Sequence, residues 1–228
     1  KQRWEALRIE AKTDLTKQTL TQKLEPFLNV LFTLTSRYEA IAANPPYMGH
    51  KNMNDDLKSF VNSFFPNTKT DLCTVFVEGM PALTSVHGKY SFIIPPSWMF
   101  LSTFENFRKH IIQNKKIESL LHLSRGVFGA DFGSVCTVIS NNKALNGKGI
   151  YFRLVERTFQ EFYHEHLEQL FLLAKKRPGF KYKFQNYTKE NARIIHSNDG
   201  LRLLYPDVSQ NNFMKIPSIP IAYWFNDN

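Results

Sequence analysis

Apolar residues recur at three- and four-residue spacing through the first 35 positions. Trp4, Leu7 and Ile9 open the stripe, and Leu24, Phe27, Leu28, Leu31 and Phe32 continue it, which predicts helix. Thr13 and Asp14 interrupt the stripe where a cap between two helices belongs. The period then changes. Tyr38 to Ala43 (YEAIAA) is short, partly apolar and stops at Asn44-Pro45-Pro46, the pattern of a buried strand that runs into a rigid loop. A polar stretch holds a helix from about Asn54 to Phe64, ended by Pro66. Asp71 to Leu83 carries a helical stripe of Leu72, Val75, Phe76 and Met80, with Pro81 predicted to end or bend it. Tyr90 to Ile94 (YSFII) reads as a second buried strand, stopped by Pro95-Pro96. A helix over Phe104 to Ile112 and strands over Ile117 to Leu123 and Val135 to Ser140 follow. Asn146-Gly147-Lys148-Gly149 is a turn signal, and Ile150 to Val155 is the strand expected on its far side.

Strand, helix, strand, helix, strand and a terminal hairpin make an α/β layer fold with an antiparallel edge. Past residue 157 the character shifts. Phe159 to Lys176 is a charged helix, residues 184–210 are polar and irregular, and Ile216 to Trp224 (IPSIPIAYW) is apolar and punctuated by proline. We therefore expect a division between residues 1–157 and a helical, irregular extension over 158–228.

Composition narrows the function. The 228 residues are 43% hydrophobic and 21% charged, which excludes wholesale disorder. Lys and Arg number 29 against 20 Asp and Glu, a net charge of +9 that favours an anionic partner, nucleic acid before a membrane surface. No apolar run approaches the roughly 18 residues of a membrane span. Cys73 and Cys136 lack CxxC spacing and read as buried thiols of a reducing, cytoplasmic compartment rather than a metal or disulfide framework. Residues 1–10 are not a signal peptide, and the chain opens in helix without an initiator Met, so we expect a piece of a longer protein.

Asn44-Pro45-Pro46-Tyr47 is the tetrapeptide that points to chemistry. It follows a predicted buried strand, where open α/β sheets bind ligands. Two prolines fix φ and push the preceding residues to extended geometry, so Asn44 is held rigidly at the strand's end. Pro46 has no N–H, and the Pro45 carbonyl is left as an acceptor. The Asn44 carboxamide and that carbonyl can then take both hydrogens of an amino group, which frees the nitrogen lone pair for attack. Tyr47 supplies a flat face for a planar base. The plain alternative is a proline turn that packs its tyrosine on the core.

At these residues the chain resembles a known family. IAANPPYMGHKNMN (41–54), DLCTVFVEGM (71–80), YSFIIPPSWMF (90–100) and LHLSRGVFGADFGSVC (121–136) are similar to the catalytic region of adenine-N6 DNA methyltransferases of the NPPY class. Among these the chain most resembles the PglX-type enzymes of BREX phage-defence systems, and KIPSIPIAYW (215–224) is similar to their segment leading towards target recognition. The resemblance implies part of a class I, Rossmann-like methyltransferase sheet that uses S-adenosylmethionine on double-stranded DNA, with other phage-defence proteins as possible partners. It implies that Asn44 and Pro45 hold the target amino group, that Pro46 keeps the loop rigid, that Tyr47 stacks on a flipped adenine, and that Asn44 faces the methyl end of the cofactor. It also implies an aromatic side chain on the other side of the adenine, for which Phe128 and Phe132 are the candidates, either of which core packing would equally explain.

One departure from the family stands out. Its glycine-turn cofactor loop lies upstream of NPPY, yet no glycine precedes Gly49, and FGADFGS (128–134) has the wrong spacing for a nucleotide turn. The chain therefore reads as the target-adenine half of the enzyme, expected to be inactive alone. Lys175, Lys176, Arg177, Lys181 and Lys183, with Phe180 and Tyr182 among them, either track a phosphate backbone or solvate a helix end. His164 and His166 stand two apart on a helix and do not form a metal pair, and Asp55-Asp56 reads as a helix start. The function expected is adenine-N6 methylation of DNA in phage defence or restriction-modification. The alternatives are a non-catalytic subunit that binds DNA or a partner, and methylation of a protein glutamine or an RNA adenine.

Overall fold

A computed structural model describes residues 1–127, 132–142, 147–156, 161–188 and 192–225. Its residues form two compact units, Lys1–Tyr38 and Glu39–Asn228. The expected division at 157/158 is therefore not the one observed.

The first unit is a helical pair, α1 (Gln2–Glu10) and α2 (Leu15–Thr35). Asp14 caps α2 by accepting from the backbone N–H groups of Thr16 at 2.9 Å and Lys17 at 3.1 Å. Trp4 and Ala11 are buried, whereas Phe27, Val30, Leu31 and Leu34 on α2 are exposed.

The second unit is built on a six-stranded mixed sheet in the order β1-β2-β4-β3-β5-β8, the α/β architecture expected. Its chain runs β1 (Tyr38–Ala43), α3 (Asp55–Phe64), α4 (Leu72–Leu83), β2 (Thr84–Ile94), α5 (Glu105–Asn114), β3 (Lys116–Arg125), β4 (Gly133–Ser140), β5 (Lys148–Leu154) and α6 (His164–Lys176). A two-stranded ribbon of β6 (Lys181–Tyr182) and β7 (Leu201–Arg202) then precedes β8 (Leu204–Ser209). Pro81 stands in the last turn of α4, which ends two residues after its point of predicted arrest.

Strand pairing departs from the sequence reading in two places. β4 pairs antiparallel with both β2 and β3, through Ile94↔Val135 and His122↔Val135. β5 is not its hairpin partner but runs parallel to β3, with Leu121↔Phe152 in register. Val135, Thr137 and Ile139 of β4 are buried and Cys136 and Val138 between them half-buried, and β4 takes an inner place between β2 and β3, so β5 pairs beyond β3 instead. The antiparallel edge exists, but β8 forms it, from a stretch that reads as irregular. Pro206 and Asp207, the latter at φ 57°, break the alternation that would have marked a strand.

The main core lies on one face of the sheet and is rich in large side chains, among them Tyr90, Phe92, Trp98, Phe107, Leu120, Val135 and Tyr151. Phe213, Ile219, Ile221 and Tyr223 of the C-terminal segment belong to the same cluster, so that segment completes this core. The opposite face carries α6, whose Leu167, Leu170 and Ala174 pack with Phe152, Leu154, Phe180, Tyr182 and Leu203.

Two buried polar side chains fasten the C-terminal segment. The Arg108 guanidinium on α5 is fully buried and donates to the carbonyls of Trp98 at 2.8 Å, Leu101 at 2.7 Å, Ser218 at 2.6 Å and Ile219 at 2.8 Å. Ser218 and Ile219 sit at φ 62° and 50°, left-handed positions that non-glycine residues rarely take. Gln210 accepts from Ile117 N at 2.9 Å and donates to the carbonyls of Ile112 at 2.8 Å and Lys115 at 2.7 Å. Both side chains satisfy backbone groups that burial would otherwise strand.

Candidate active site at the strand ends

The NPPY loop leaves the end of β1 and meets the end of β2 and the residue that opens into β4. Contacts between β1 and β2 advance in the same direction along both strands. Gly88 lies so close to β1 that a Cβ there would stand 2.9 Å from the Glu39 carbonyl, and Ser91 Oγ donates to the Ile41 carbonyl at 3.3 Å. Four residues past β1, the Tyr47 hydroxyl reaches the Ile93 carbonyl near the end of β2 at 3.0 Å. Ile93 is in register with Cys136 of β4, and Arg125 at the end of β3 with Gly133 at the start of β4.

Within the loop Pro45 is buried and Asn44 and Pro46 are exposed. Asn44 Oδ1 accepts from the Tyr47 hydroxyl at 3.0 Å, so one hydroxyl hydrogen serves two acceptors, Asn44 Oδ1 and the Ile93 carbonyl. No donor among the described residues takes the Pro45 carbonyl. Tyr47 is 38% exposed, which leaves part of its ring open to a ligand. Burial first, and then the neighbouring Cys73, hold its hydroxyl above the ordinary phenol range, so it remains a donor at neutral pH.

The loop's far side is pinned to the start of α4. Asp71 accepts from Cys73 N at 3.0 Å, capping that helix, and its Oδ1 lies 3.3 Å from Met48 N. Leu72 N donates to the Met48 carbonyl and His50 N to the Thr70 carbonyl, each at 2.9 Å. Asp71 just ahead of an apolar helical stripe is a legible cap, but its grip on Met48, 23 residues away, leaves no mark in the sequence. Cys73 is buried, and burial with the Asp71 carboxylate pushes its thiol strongly upward, so it is an inert packing group.

The other candidates are placed as follows. Phe132 lies directly before β4 and meets Tyr47 edge to face, with ring centroids 5.4 Å apart and planes at 75°. It is thus a neighbour of the tyrosine, and no base fits between the two rings at that separation. Phe128 lies outside the described residues. Lys175, Lys176 and Arg177 point outward at the end of α6. Lys181 Nζ donates to the Asn198 carbonyl at 3.4 Å, and Lys183 is ion-paired with Asp199. Phe180 and Tyr182 are core residues, so they offer no ring to a nucleic acid. α6 spans 13 residues, and its basic end is about 20 Å from its start beside the isolated bridge of Glu161 to Arg125. His164 is exposed and His166 buried, on different faces of that helix, and Asp55 and Asp56 form the first turn of α3 behind the Asn54 cap.

Among the described residues no three His, Cys, Asp or Glu side chains converge on a metal position, and no helix is long and apolar enough to cross a membrane.

Comparison with known proteins gives this geometry its context. The chain is 32% identical over 221 residues to the adenine-specific methyltransferase BrxX of Escherichia coli O9:H4 (strain HS), covering 95% of this chain and 16% of that protein. It is 31% identical over 206 residues to the adenine-specific methyltransferase PglX of Lacticaseibacillus casei (strain Zhang), covering 89% of this chain and 15% of that one. The chain thus spans about a sixth of the length of these curated relatives. A solved methyltransferase subunit of a type I restriction-modification system from Streptococcus thermophilus superposes with a TM-score of 0.45 at 14% identity, over 62% of this chain and 32% of that one. The Eco57I restriction-modification methylase family matches residues 2–128, more than half of the chain and the whole of the NPPY loop, and the chain belongs to that family.

Proposed function

We propose that the protein containing this chain is an adenine-specific DNA methyltransferase, and that this chain supplies the groups that hold the target adenine. The observation that carries the reading is the NPPY loop at the strand ends, with two oxygen acceptors and a half-open aromatic face within four residues. The acceptors suit an exocyclic amino group. Asn44 Oδ1 takes one hydrogen and the Pro45 carbonyl the other, and the nitrogen lone pair is turned out of conjugation towards an electrophile. Tyr47 holds the base by its ring, as planar bases are held when flipped from a duplex. Asn44 Oδ1 carries two lone pairs, so it can take the amine hydrogen beside the Tyr47 hydroxyl, which also has Ile93 as an acceptor.

S-adenosylmethionine, when bound, would supply an electrophilic methyl group. Asn44 fits the methyl end of that cofactor, and no glycine stands before Gly49 to provide the close backbone turn its amino-acid and ribose parts require. Residues outside this chain are proposed to hold those parts. Pro46 stiffens the loop, Phe132 buttresses Tyr47, and the outward Lys175, Lys176 and Arg177 are proposed to meet DNA phosphates. Cytoplasmic phage defence alongside other defence proteins is the setting proposed, on the resemblance to PglX-type enzymes.

The test is methyl transfer by the full-length protein from labelled cofactor to duplex DNA, with N6-methyladenine identified in the digest. Absence of label in DNA overturns the reading. Label in RNA or in protein amides instead would reassign the substrate.

A further inference from the structure

Three residues beyond Tyr47 a cavity of about 590 Å³ opens between the loop and the α3–α4 connection. Its walls are His50, Lys51 and Asn52 on one side and Asn62, Lys69 and Thr70 on the other. Neither lysine pairs with a carboxylate among the described residues. Of the acidic groups on the flanking elements, Asp71 accepts from Met48 N and Cys73 N, Glu78 from the Thr68 hydroxyl, and Asp55 pairs with Lys58 at 3.8 Å, while Asp56 is exposed on the first turn of α3 and is not part of the lining. His50 Nε2 is buried without a hydrogen-bond partner, a polar atom left over on the same wall. Two lysines, amides, a hydroxyl and an imidazole, with no acidic residue in the lining, make an anion site.

We propose that this cavity is a phosphodiester subsite that seats one backbone phosphate of the DNA strand carrying the target adenine, between Lys51 and Lys69. The inference rests on the methyltransferase reading above and adds to it a residue-level contact. Position supports it. His50 Cα is three residues from Tyr47 Cα, at most about 11 Å along the chain, so a base on Tyr47 brings its own or an adjoining phosphate within reach. Anchorage supports it as well, because the His50 N–Thr70 O and Leu72 N–Met48 O bonds tie both walls to the loop that holds the base. The site is then a register device: the phosphate contact sets where along the strand the flipped base falls.

The experiment uses the full-length protein and labelled duplex DNA, with affinity measured by anisotropy across a salt series. Lys51→Gln/Lys69→Gln is expected to lower the slope of log affinity against log salt by about 1 to 2 and to raise the KM for DNA. Asn44→Ala is expected to lose methyl transfer while its slope stays as in wild type. Both lysines are exposed, and the two single variants, each lowering the slope by part of that amount, guard against misfolding of the double. An unchanged slope in a protein that does methylate DNA overturns the subsite and leaves the proposed function standing. A wild-type protein that neither binds nor methylates duplex DNA overturns both.

Discussion

The Tyr47 hydroxyl lies 3.0 Å from Asn44 Oδ1, and the same hydroxyl lies 3.0 Å from the carbonyl of Ile93, 46 residues away. A single proton thus joins the candidate amine acceptor to the neighbouring strand. The Asn44 oxygen is aimed and partly spoken for before any substrate arrives.

Removing that oxygen tests the chemistry. Asn44→Ala in the full-length protein is expected to cut methyl transfer to DNA by about 10²-fold or more, because the lost acceptor matters most as charge develops on nitrogen. Asn44 is exposed, so the melting temperature is expected to hold. Transfer within a few-fold of wild type would make the loop structural.

Tyr47 separates ring from hydroxyl. Tyr47→Phe keeps the face, loses the bonds to Asn44 and Ile93 at a cost of about 1 kcal/mol, and is expected to remain active. Tyr47→Ala is expected to weaken capture of the flipped base by about 1–3 kcal/mol. A fluorescent adenine analogue at the target position brightens on flipping. Equal emission from wild type and Tyr47→Ala would deny the ring its proposed role.

Arg108 tests how the C-terminal segment is held. Arg108→Met removes the buried donors of the Trp98 and Ile219 carbonyls and two part-buried bonds to Leu101 and Ser218, and is expected to destabilise by about 2–3 kcal/mol in urea unfolding. Proteolysis is expected to begin near residues 216–223. Arg108→Lys keeps a charge but not the planar fork, and is expected to fall between the two. A Met variant as stable as wild type would remove Arg108 from this role.

His122 predicts a pH dependence. It is buried on β3 beside Arg153, and burial first, then that positive charge, lower its pKa to about 4 from an ordinary 6.5. Tyr223 lies against it, with its hydroxyl 3.4 Å from Nδ1. The unfolded chain therefore binds a proton that the folded chain refuses between pH 6.5 and 4. Stability is expected to fall as pH drops through that window, by up to about 3 kcal/mol. His122→Phe is expected to flatten the curve between those values. A wild-type curve already flat there would show that His122 titrates normally.

Much of the local structure was legible in the sequence, and much of the pairing was not. YEAIAA and YSFII announced β1 and β2 as strands, although β1 is an exposed edge strand and not the buried one expected, and Asp14 and Asn54 stood where helix caps belong. Periodicity and capping act within a few residues, so local sequence carries them. Which strands become neighbours depends on contacts across the whole unit, and the parallel match of β5 to β3 had no local sign. β8 escaped notice because Pro206 and Asp207 interrupt its pattern. At the site, the tetrapeptide gave Asn44, Pro45 and Tyr47, and the contact of Phe132 with Tyr47 bears on one of two proposed aromatics. The basic run was more misleading: Phe180 and Tyr182 look like rings awaiting bases but fill the core beneath α6. The cavity of Lys51 and Lys69 joins segments 18 residues apart and could not be read along the chain.

Arg108 and Gln210 bind main-chain atoms alone. Their hydrogen bonds go to carbonyl and amide groups that every residue carries, so the side chains of the exposed Leu101 and Ser218 can change without altering the bonds they accept from Arg108. The bonds of Gln210 with Ile112, Lys115 and Ile117 are of the same kind. Evolution can therefore rewrite the residues between Gln210 and Ile219 that lie outside the core, Phe213 apart, while the path of the segment over the sheet stays fixed. Among homologues we expect Arg and Gln to persist at these two positions amid residues that drift, a pattern in which conservation marks the donors and not the surfaces they hold.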